Sequence, residues 1–351
     1  MDELKLNVSY LRKRVPNLTI AAKEKGLRPA TVSNLCTGKT PVGRAEVRTL
    51  VALAELADCK LDDLIIRGND VQMIETGIKV LDFLAPITKG GINGFVARPG
   101  MGQLVLLAEI FYRLQAKDCI TVLLMPNFEC PDLKEVKESA NILCHDTESV
   151  YREMMNVNEK QDVILAADRS LVITGEIYSL IDELKVSKGK TITTFLVDQT
   201  GEAVDEELPY GPLDTLVTFD AELVSRKLFP AVNPVTSTSV ITEEGAKLDN
   251  KHYIVQQKAR KIMRRYRELR FLVSAFGYEK LQPSDKEVYK RGELLEAYLT
   301  QSFFVAEPFT KMKGTSVPLT NTLEDISGIL EGEITKVNAD QLQYIGSLSK
   351  V

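Results

Sequence analysis

Short apolar runs alternate with amphipathic segments through the middle of the chain. Four runs are clear: INGFVA at 92–97, CITVLLM at 119–125, DVILAAD at 162–168 and TITTFLV at 191–197. Apolar runs of this length are typical of parallel strands that are buried on both faces. Because segments of helical period separate the runs, the pattern predicts an α/β domain with a parallel sheet. We place this domain at residues 69–250.

Beyond residue 250 the pattern changes to long amphipathic stretches. Residues 251–278 and 284–303 keep apolar residues at helical spacing, and the break between them falls at Leu281–Pro283. Proline prevents a preceding helix from continuing, so two helices are expected here. A helical C-terminal domain is therefore predicted over residues 251–351.

The first 68 residues show short helices separated by turns. A helix over Thr19–Lys25 is followed by Gly26, which is suited to end it, and a second helix over Pro29–Cys36 starts with proline in the first turn. A longer amphipathic helix comes next, and the segment LDDLI supplies a final short one. The stripe predicted to be buried on the longer helix consists of Val47, Leu50, Val51, Ala54 and Leu56 or Ala57.

Composition fits a folded protein of about two domains. The chain has 351 residues, 44% hydrophobic and 26% charged, which excludes a disordered or low-complexity protein. The sequence has neither an apolar stretch of 18 residues nor the apolar core of a signal peptide near its start. We therefore expect a cytoplasmic protein that does not insert into membranes. Five scattered cysteines without C-x-x-C spacing argue against a disulfide framework or a zinc site.

Charge is distributed unevenly between the two parts of the chain. Residues 1–68 carry 12 Lys and Arg against 8 Asp and Glu, whereas residues 69–351 carry 32 against 41. Such asymmetry predicts a small module that faces polyanions, joined to an acidic body.

The order of helices in residues 1–68 resembles the Cro/repressor-type helix-turn-helix family. The resemblance implies a small all-α domain in which Pro29–Cys36 is the recognition helix. A single module makes few phosphate contacts, so useful DNA affinity requires a dimer or larger assembly. The alternative reading is a protein-protein or oligomerisation adaptor. The residues expected to reach bases or phosphates are Arg28, Thr31, Ser33, Asn34 and Lys39.

Four segments of the remaining chain are similar to the catalytic β subunit of rotary ATP synthases. They are ETGIKVLDFLAPITKGG, FPAVNPVTSTS, HYIVQQKARKIMRRYRELRFLVSAFG and LTQSFFVAEPFT, in the family's order. The resemblance implies a RecA-like P-loop NTPase fold with a C-terminal helical region. Two features depart from the family: the helix-turn-helix module takes the place of the N-terminal β-barrel, and the acidic stretch that faces the rotor becomes EKLQPSD at 279–285.

The phosphate-binding loop departs further from the pattern G-x-x-x-x-G-K-[ST]. In ARPGMGQL, at 97–104, Gly100 and Gly102 remain, but Gln103 stands at the Lys position and Leu104 at the Thr position. The loop thus lacks the ammonium that binds phosphate and the hydroxyl that binds Mg²⁺. Arg98, within the same loop, is a candidate to supply the missing positive charge, but from a different position than the lysine. The resemblance therefore implies weak binding of ATP or ADP at most, and argues against magnesium and against hydrolysis.

Other family positions are retained in part. Glu129 is the candidate for the residue that orients the attacking water, and Asp168 matches the carboxylate that holds magnesium. The alternative role for Asp168 is to cap the turn that follows its strand. The resemblance also implies that Phe229, Phe303 and Phe309 enclose the adenine, whereas the alternative is that they fill core volume.

The sequence leaves three functions open. The first is a DNA-associated regulator or scaffold, assembled as a homo-oligomer on a degenerate, non-hydrolysing ATP synthase β-like domain. The second is a divergent ATPase that uses Arg98 and Asp168. The third is a non-catalytic subunit of a rotary ATP synthase-like complex, bound to a partner that resembles the α subunit. The sequence of the loop argues against the divergent ATPase. The altered segment 279–285 and the missing barrel argue against the subunit of a rotary complex.

Overall fold

The apolar runs and amphipathic stretches of the sequence fold into two compact units, Met1–Val71 and Gln72–Val351. They are seen in a computed structural model. It describes residues 4–15, 18–36, 40, 42–67, 72–126, 133–158, 161–188, 192–205, 210, 213–242, 250–334 and 337–348. The division at 250 between an α/β domain and a helical domain stays a prediction, since residues from both sides share one hydrophobic core.

The N-terminal unit is a set of short helices closed by a two-stranded antiparallel ribbon, so the prediction of an all-α domain is wrong in this respect. Leu11, Leu53 and Leu64 are fully buried in its core. A 3-10 turn at Val42–Arg44 precedes the fourth helix. The elements are β1 (Leu4–Leu6), α1 (Val8–Arg14), α2 (Leu18–Glu24), α3 (Pro29–Cys36), α4 (Val47–Leu56), α5 (Leu61–Leu64) and β2 (Ile65–Arg67).

The buried face of α4 differs from the predicted stripe. Leu50, Leu53 and Ala54 are buried, whereas Val47 and Val51 are 68% and 41% exposed. Leu50 and Ala54 belong to both the predicted and the observed stripe, but Leu53 takes the place of Val47 and Val51, so the buried face is rotated about the helix axis relative to the expectation.

The four apolar runs form adjacent, parallel strands of one sheet, as predicted. The sheet has seven strands in the order β11-β10-β5-β9-β8-β6-β7, and the β10–β11 pairing is antiparallel. The fold is thus mixed α/β with a mostly parallel sheet. Its strands are β5 (Ile92–Val96), β6 (Ile120–Leu124), β7 (Ile142–Cys144), β8 (Val163–Asp168), β9 (Ile192–Val197), β10 (Thr215–Thr218) and β11 (Thr238–Ser239); β3 (Met73–Ile74) and β4 (Ile87–Thr88) form a separate ribbon.

Helices flank the sheet in the order that the alternating pattern predicts. The α7 helix follows β5 and buries Leu106, Leu107 and Phe111 in the larger core. The helices of this part are α6 (Lys79–Leu84), α7 (Gln103–Gln115), α8 (Lys134–Glu138), α9 (Thr147–Asn156), α10 (Ser170–Ile173), α11 (Glu176–Lys188) and α12 (Ala221–Ser225).

The C-terminal region is helical, as predicted, and is built on two long helices. These are α13 (Asn250–Phe276) and α14 (Pro283–Tyr298), followed by α15 (Glu307–Thr310), α16 (Leu319–Glu331) and α17 (Ala339–Leu342). The second long helix ends at Tyr298, five residues before the predicted end. Beyond it, the Gln301 side chain accepts from the Lys79 backbone N–H at 2.8 Å and donates to the Gly77 carbonyl at 2.8 Å, which ties this segment to the loop before α6. Among the helices of the described ranges, none has the length and apolar character needed to span a bilayer.

Candidate functional site

The loop between β5 and α7 occupies the position of a phosphate-binding loop. It leaves the carboxyl end of a central parallel strand, where α/β proteins place their ligand sites. Gly100 and Gly102 have φ of +81° and +91°, a backbone conformation that side chains other than glycine rarely adopt. These two glycines therefore let the chain turn sharply from β5 into the first turn of α7.

A cavity of about 420 Å³ lies at this loop. Its walls come from the loop, the first turn of α7, α8, the second residue after β9, the segment before α15 and α15 itself. The lining residues are Pro99, Gly100, Gly102, Gln103, Leu104, Val105, Glu135, Gln199, Val305, Ala306 and Phe309.

Gln103 and Leu104 line this cavity, at the positions that lysine and threonine or serine occupy in a phosphate-binding loop. Gln103 is 3% exposed and Leu104 is 8% exposed, and Leu104 belongs to the hydrophobic core. A neutral amide brings no positive charge to a phosphate, and an alkyl group cannot ligate a cation. The first turn of α7 therefore offers backbone N–H groups but neither of the two side chains that phosphoryl transfer needs.

Arg98 points its charge elsewhere. Its guanidinium lies 3.3 Å from the Asp205 carboxylate, both side chains are largely exposed, and Arg98 is not part of the cavity lining. The structure thus gives no geometry by which Arg98 replaces the missing lysine.

Asp168 ends β8 and is 5% exposed. Its Oδ1 accepts from the Ser170 backbone N–H at 2.9 Å, a contact that caps the turn after the strand. Its Oδ2 is buried and has no hydrogen-bond partner. Magnesium needs several oxygen ligands, yet Leu104 supplies none, and the described residues contain no cluster of three His, Cys, Asp or Glu side chains able to hold a metal. The role of Asp168 toward magnesium stays a prediction.

The three phenylalanines predicted to enclose a base lie in different surroundings. Phe309 is 73% exposed and lines the cavity, whereas Phe303 is 7% exposed and belongs to the hydrophobic core. Phe229 is half-buried, and its ring would lie 3.9 Å from a Cβ added at Gly102. Glu129 lies outside the described residues.

A buried ion pair fixes the far wall of the cavity. Glu109, on α7, accepts from the backbone N–H groups of Phe304 at 3.1 Å and Val305 at 3.0 Å. Arg113, one turn later, lies 2.7 Å from Glu109, and both side chains are almost completely buried. Because Val305 lines the cavity, α7 contributes lining residues of its own and also holds a second part of the wall in place.

Sequence reasoning missed two polar residues of the cavity, Gln199 and Glu135. Gln199 follows β9, and its neighbour Asp198 accepts from the Thr200 N–H at 2.9 Å, a contact that fixes the turn. The position of Gln199 after a predicted strand could have indicated its place in the site, because polar residues that follow parallel strands meet at one edge of the sheet. Glu135 lies on the five-residue helix α8 and carried no comparable signal.

In the N-terminal unit, one face of α3 is polar and exposed. Val32 and Leu35 are buried in the unit's core, while Arg28, before the helix, and Thr31, Ser33 and Asn34 on it are exposed. Between α2 and α3, Gly26 adopts φ of +78°. Lys39 lies outside the described residues.

The comparisons with known proteins point to ATP synthases. Residues 243–339 match the family model of the C-terminal domain of V and A type ATP synthase. The chain is also similar in structure to a unique ATP synthase subunit, NeqB from Nanoarcheaum equitans, with a TM-score of 0.57 and 16% sequence identity over 74% of this chain and 76% of that chain. At this identity the likeness shows the fold. The chain is therefore related to V/A-type ATP synthase subunits through its C-terminal region and shares the fold of an ATP synthase subunit.

Proposed function

We propose that this protein is a non-hydrolysing relative of the catalytic ATP synthase β subunit, with a RecA-like domain that serves as a scaffold. The observation that carries the proposal is the pair Gln103 and Leu104, both buried at the first turn of α7. Replacing the lysine and the hydroxyl removes the groups that neutralise the transferring phosphoryl and hold its metal. The outward ion pair of Arg98 with Asp205 supports the same conclusion against a divergent ATPase.

The test is ATP turnover by the purified full-length protein with magnesium present. We expect release of phosphate at the level of the buffer, unchanged by Asp168→Ala. Turnover above that level that is lost in Asp168→Ala would show that the site is an ATPase and would overturn the proposal.

As a scaffold related to synthase subunits, the chain is proposed to act in an assembly. We propose one of two compositions: a homo-oligomer, or a complex with a partner that resembles the α subunit. Native mass measurement of the protein alone and after copurification separates them. A monomer that copurifies with no synthase-like subunit contradicts both compositions.

A second function rests on a different observation, the exposed polar face of α3. We propose that the N-terminal unit is a helix-turn-helix module and associates the scaffold with DNA, through Arg28, Thr31, Ser33 and Asn34. Arg28 supplies charge to phosphates, and Asn34 supplies an amide suited to base edges.

The test measures DNA affinity of the full chain at several salt concentrations. Arg28→Ala should weaken binding on all sequences and lower the salt slope by about 1, since one phosphate contact is lost. Arg152→Ala is the matched control, because it removes one exposed arginine from α9 in the other unit. If both variants weaken binding equally, or if DNA does not bind at low salt, the module is an adaptor for protein contacts instead.

A further inference from the structure

The end of the helical hairpin formed by α13 and α14 projects from the larger unit. From Arg270 to Arg291, a stretch that lies wholly within the described ranges, no residue is buried. Aromatic rings of the hairpin contact one another instead: the centre of the Tyr289 ring lies 5.1 Å from that of Tyr266 and 5.4 Å from that of Tyr278. The end of the hairpin is thus held together by its own contacts, and its outer surface is exposed.

Large apolar side chains are exposed on the α13 part of this end. Phe271 is 75% exposed, Phe276 is 69% exposed and Leu272 is 38% exposed. With 3.6 residues per turn, these three side chains fall within an arc of about 140° on one face of the helix. A cluster of exposed apolar side chains marks an interaction surface.

The same face carries cations toward the middle of α13. Lys258, Lys261 and Arg264 are exposed and fall within the same arc. Within the described part of the chain, none of the three forms an ion pair, whereas the neighbouring Arg265 lies 2.8 Å from Glu268 and neutralises it. This face therefore keeps a net positive charge. We call it the outer face of α13; it consists of Lys258, Lys261, Arg264, Phe271, Leu272 and Phe276.

The arrangement of these groups fits the surface of an anionic bilayer. An amphipathic helix at such a surface buries Phe and Leu by about 5–10 Å and holds Lys and Arg among the headgroups. Arg264 and Phe271 are about 10 Å apart along the helix axis, at 1.5 Å per residue. The rings and the cations can therefore contact one surface together when α13 lies along it.

The excess of acidic residues in the rest of the larger unit does not prevent this contact. Residues 69–351 carry 32 Lys and Arg against 41 Asp and Glu. Exposed charges more than about 8 Å away are largely screened at physiological ionic strength. The charge that a membrane meets is therefore that of the outer face itself.

Other anionic partners fit this face less well. The phosphates of a nucleic acid duplex would neutralise the cations but leave the rings of Phe271 and Phe276 in water. An acidic protein would need a groove shaped to the same two rings. A bilayer accepts both the rings and the cations without a preformed groove.

We propose that the outer face of α13 binds the surface of membranes that contain anionic lipids. The binding is peripheral, because α13 lies on the bilayer and does not cross it. This function is independent of the cavity beside α7 and of the DNA contacts proposed for α3. Its lipid partner also differs from the rotor that the acidic stretch of the ATP synthase family faces.

The experiment is flotation of the full-length protein with lipid vesicles. One set contains phosphatidylcholine alone, and the other contains phosphatidylcholine and phosphatidylserine in equal parts. We expect at least tenfold tighter binding to the anionic vesicles at low salt, and a smaller difference as salt screens the cations. Equal binding to both vesicles, or no binding to the anionic ones at low salt, overturns the inference.

Two sets of substitutions separate the rings from the cations. The first combines Phe271→Ser with Phe276→Ser, and the second combines Lys258→Gln, Lys261→Gln and Arg264→Gln. Each set should weaken binding to the anionic vesicles at least tenfold. Circular dichroism checks that both variants fold, which we expect because all five side chains are exposed. Binding that persists in both variants comes from another basic part of the chain and overturns the inference.

Matched controls make the same changes elsewhere on the larger unit. Ile173→Ser removes a side chain that is 67% exposed on α10, and Arg152→Gln removes an exposed cation on α9. Both should leave vesicle binding unchanged. If a control weakens binding as much as the corresponding set does, the outer face of α13 is not the binding surface.

A fluorescent reporter tests whether the ring itself enters the bilayer. The chain contains no tryptophan, so Phe276→Trp introduces a single one. With anionic vesicles, we expect its emission to shift to shorter wavelength and to resist quenching by iodide, whereas Ile173→Trp should show neither change. Emission from Phe276→Trp that vesicles leave unchanged overturns the inference.

Sedimentation of the full-length protein at several concentrations tests a protein partner, a second copy of this chain. We expect the combination of Phe271→Ser and Phe276→Ser to leave the oligomeric state unchanged. Loss of self-association in this variant, together with no flotation of the native protein, would show that a second copy covers the face and would overturn the lipid assignment.

Discussion

The ion pair of Arg113 with Glu109 lies behind the part of the cavity wall that Val305 forms. Arg113 also donates to the carbonyl groups of Gly77 at 2.9 Å and Thr315 at 2.6 Å. Removing the guanidinium leaves the Glu109 carboxylate buried without its cation. We expect Arg113→Met to lower the free energy of unfolding by about 3–5 kcal/mol, as measured by urea denaturation.

The matched control is Arg152→Met. Arg152 and Glu148 also form an i, i+4 pair, but at 3.7 Å and with both side chains 70% or more exposed. Exposed pairs of this kind contribute about 0.3–0.5 kcal/mol. If the two variants lose a similar free energy of unfolding, burial does not make the Arg113–Glu109 pair more stabilising than an exposed pair.

Lys79 gives the stability a dependence on pH. Burial lowers the pKa of Lys79 to about 7, against the opposing charge of Asp325. Its Nζ donates to the carbonyl of Ile345 at 2.8 Å and lies 4.1 Å from the centre of the Tyr298 ring. Between pH 7 and the ordinary value of 10.5, the unfolded chain binds more protons here than the folded chain does. The free energy of unfolding therefore rises with pH across this window.

Lys79→Met should remove that rise. We expect the stability of the native protein to increase relative to the variant by up to about 1.4 kcal/mol per pH unit between pH 7.5 and 9.5. Denaturation curves at three pH values measure the difference, and other titrating groups cancel because both proteins carry them. Parallel pH profiles would show that Lys79 keeps its charge in the folded protein.

At the scale of elements, the contact between α13 and α14 depends on a glycine. A Cβ added at Gly292, on α14, would lie 2.3 Å from Cβ and Cγ of Tyr266 on α13. Helix propensity alone favours alanine over glycine by about 1 kcal/mol. Because Tyr266 is buried and cannot retreat, we expect Gly292→Ala instead to destabilise the protein by about 1–3 kcal/mol in urea denaturation.

Gly328→Ala makes the same change in α16, where the added Cβ meets Glu333 Oε2 at an ordinary 3.4 Å. This variant should be neutral or slightly more stable. If Gly292→Ala is as stable as Gly328→Ala, or more stable, the contact between α13 and α14 does not require glycine.

Hydrophobic periodicity predicted a helix well where its apolar residues define only one possible buried face. Pro29–Cys36 was predicted to the residue, because proline and the Val32–Leu35 spacing fix both its start and its face. In α4, two overlapping sets of apolar residues were available, and packing of Leu53 selected the one that leaves Val47 exposed. Periodicity counts apolar residues but does not show which of them the neighbouring helices cover.

Residues of the site could be predicted from the sequence where they lie together in one segment of the chain. Gln103 and Leu104 follow from the loop sequence alone, and the structure places both on the cavity. Gln199 joins them from a strand almost a hundred residues later, so only the strand order brings it there. Phe303 belongs to the hydrophobic core, and its place beside a base stays a prediction.

At the scale of the whole molecule, each hydrophobic core is drawn from one unit. The core of Leu11, Leu53 and Leu64 uses residues of Met1–Val71, while the cores around the sheet and the C-terminal helices use residues of Gln72–Val351. A unit of about 70 residues buries a smaller fraction of its surface than one of about 280. The N-terminal unit should therefore be the less stable of the two.

Independent cores predict independent unfolding. We expect two thermal transitions in the full chain, with the smaller enthalpy at the lower temperature, because enthalpy scales with the number of residues. Fragments 1–71 and 72–351 should each fold, and their calorimetric traces should add up to that of the full chain. Leu53→Ala, in the N-terminal core, should shift only the first transition, and Phe195→Ala, in β9, only the second. A single transition that both substitutions shift equally would show that the two units fold as one.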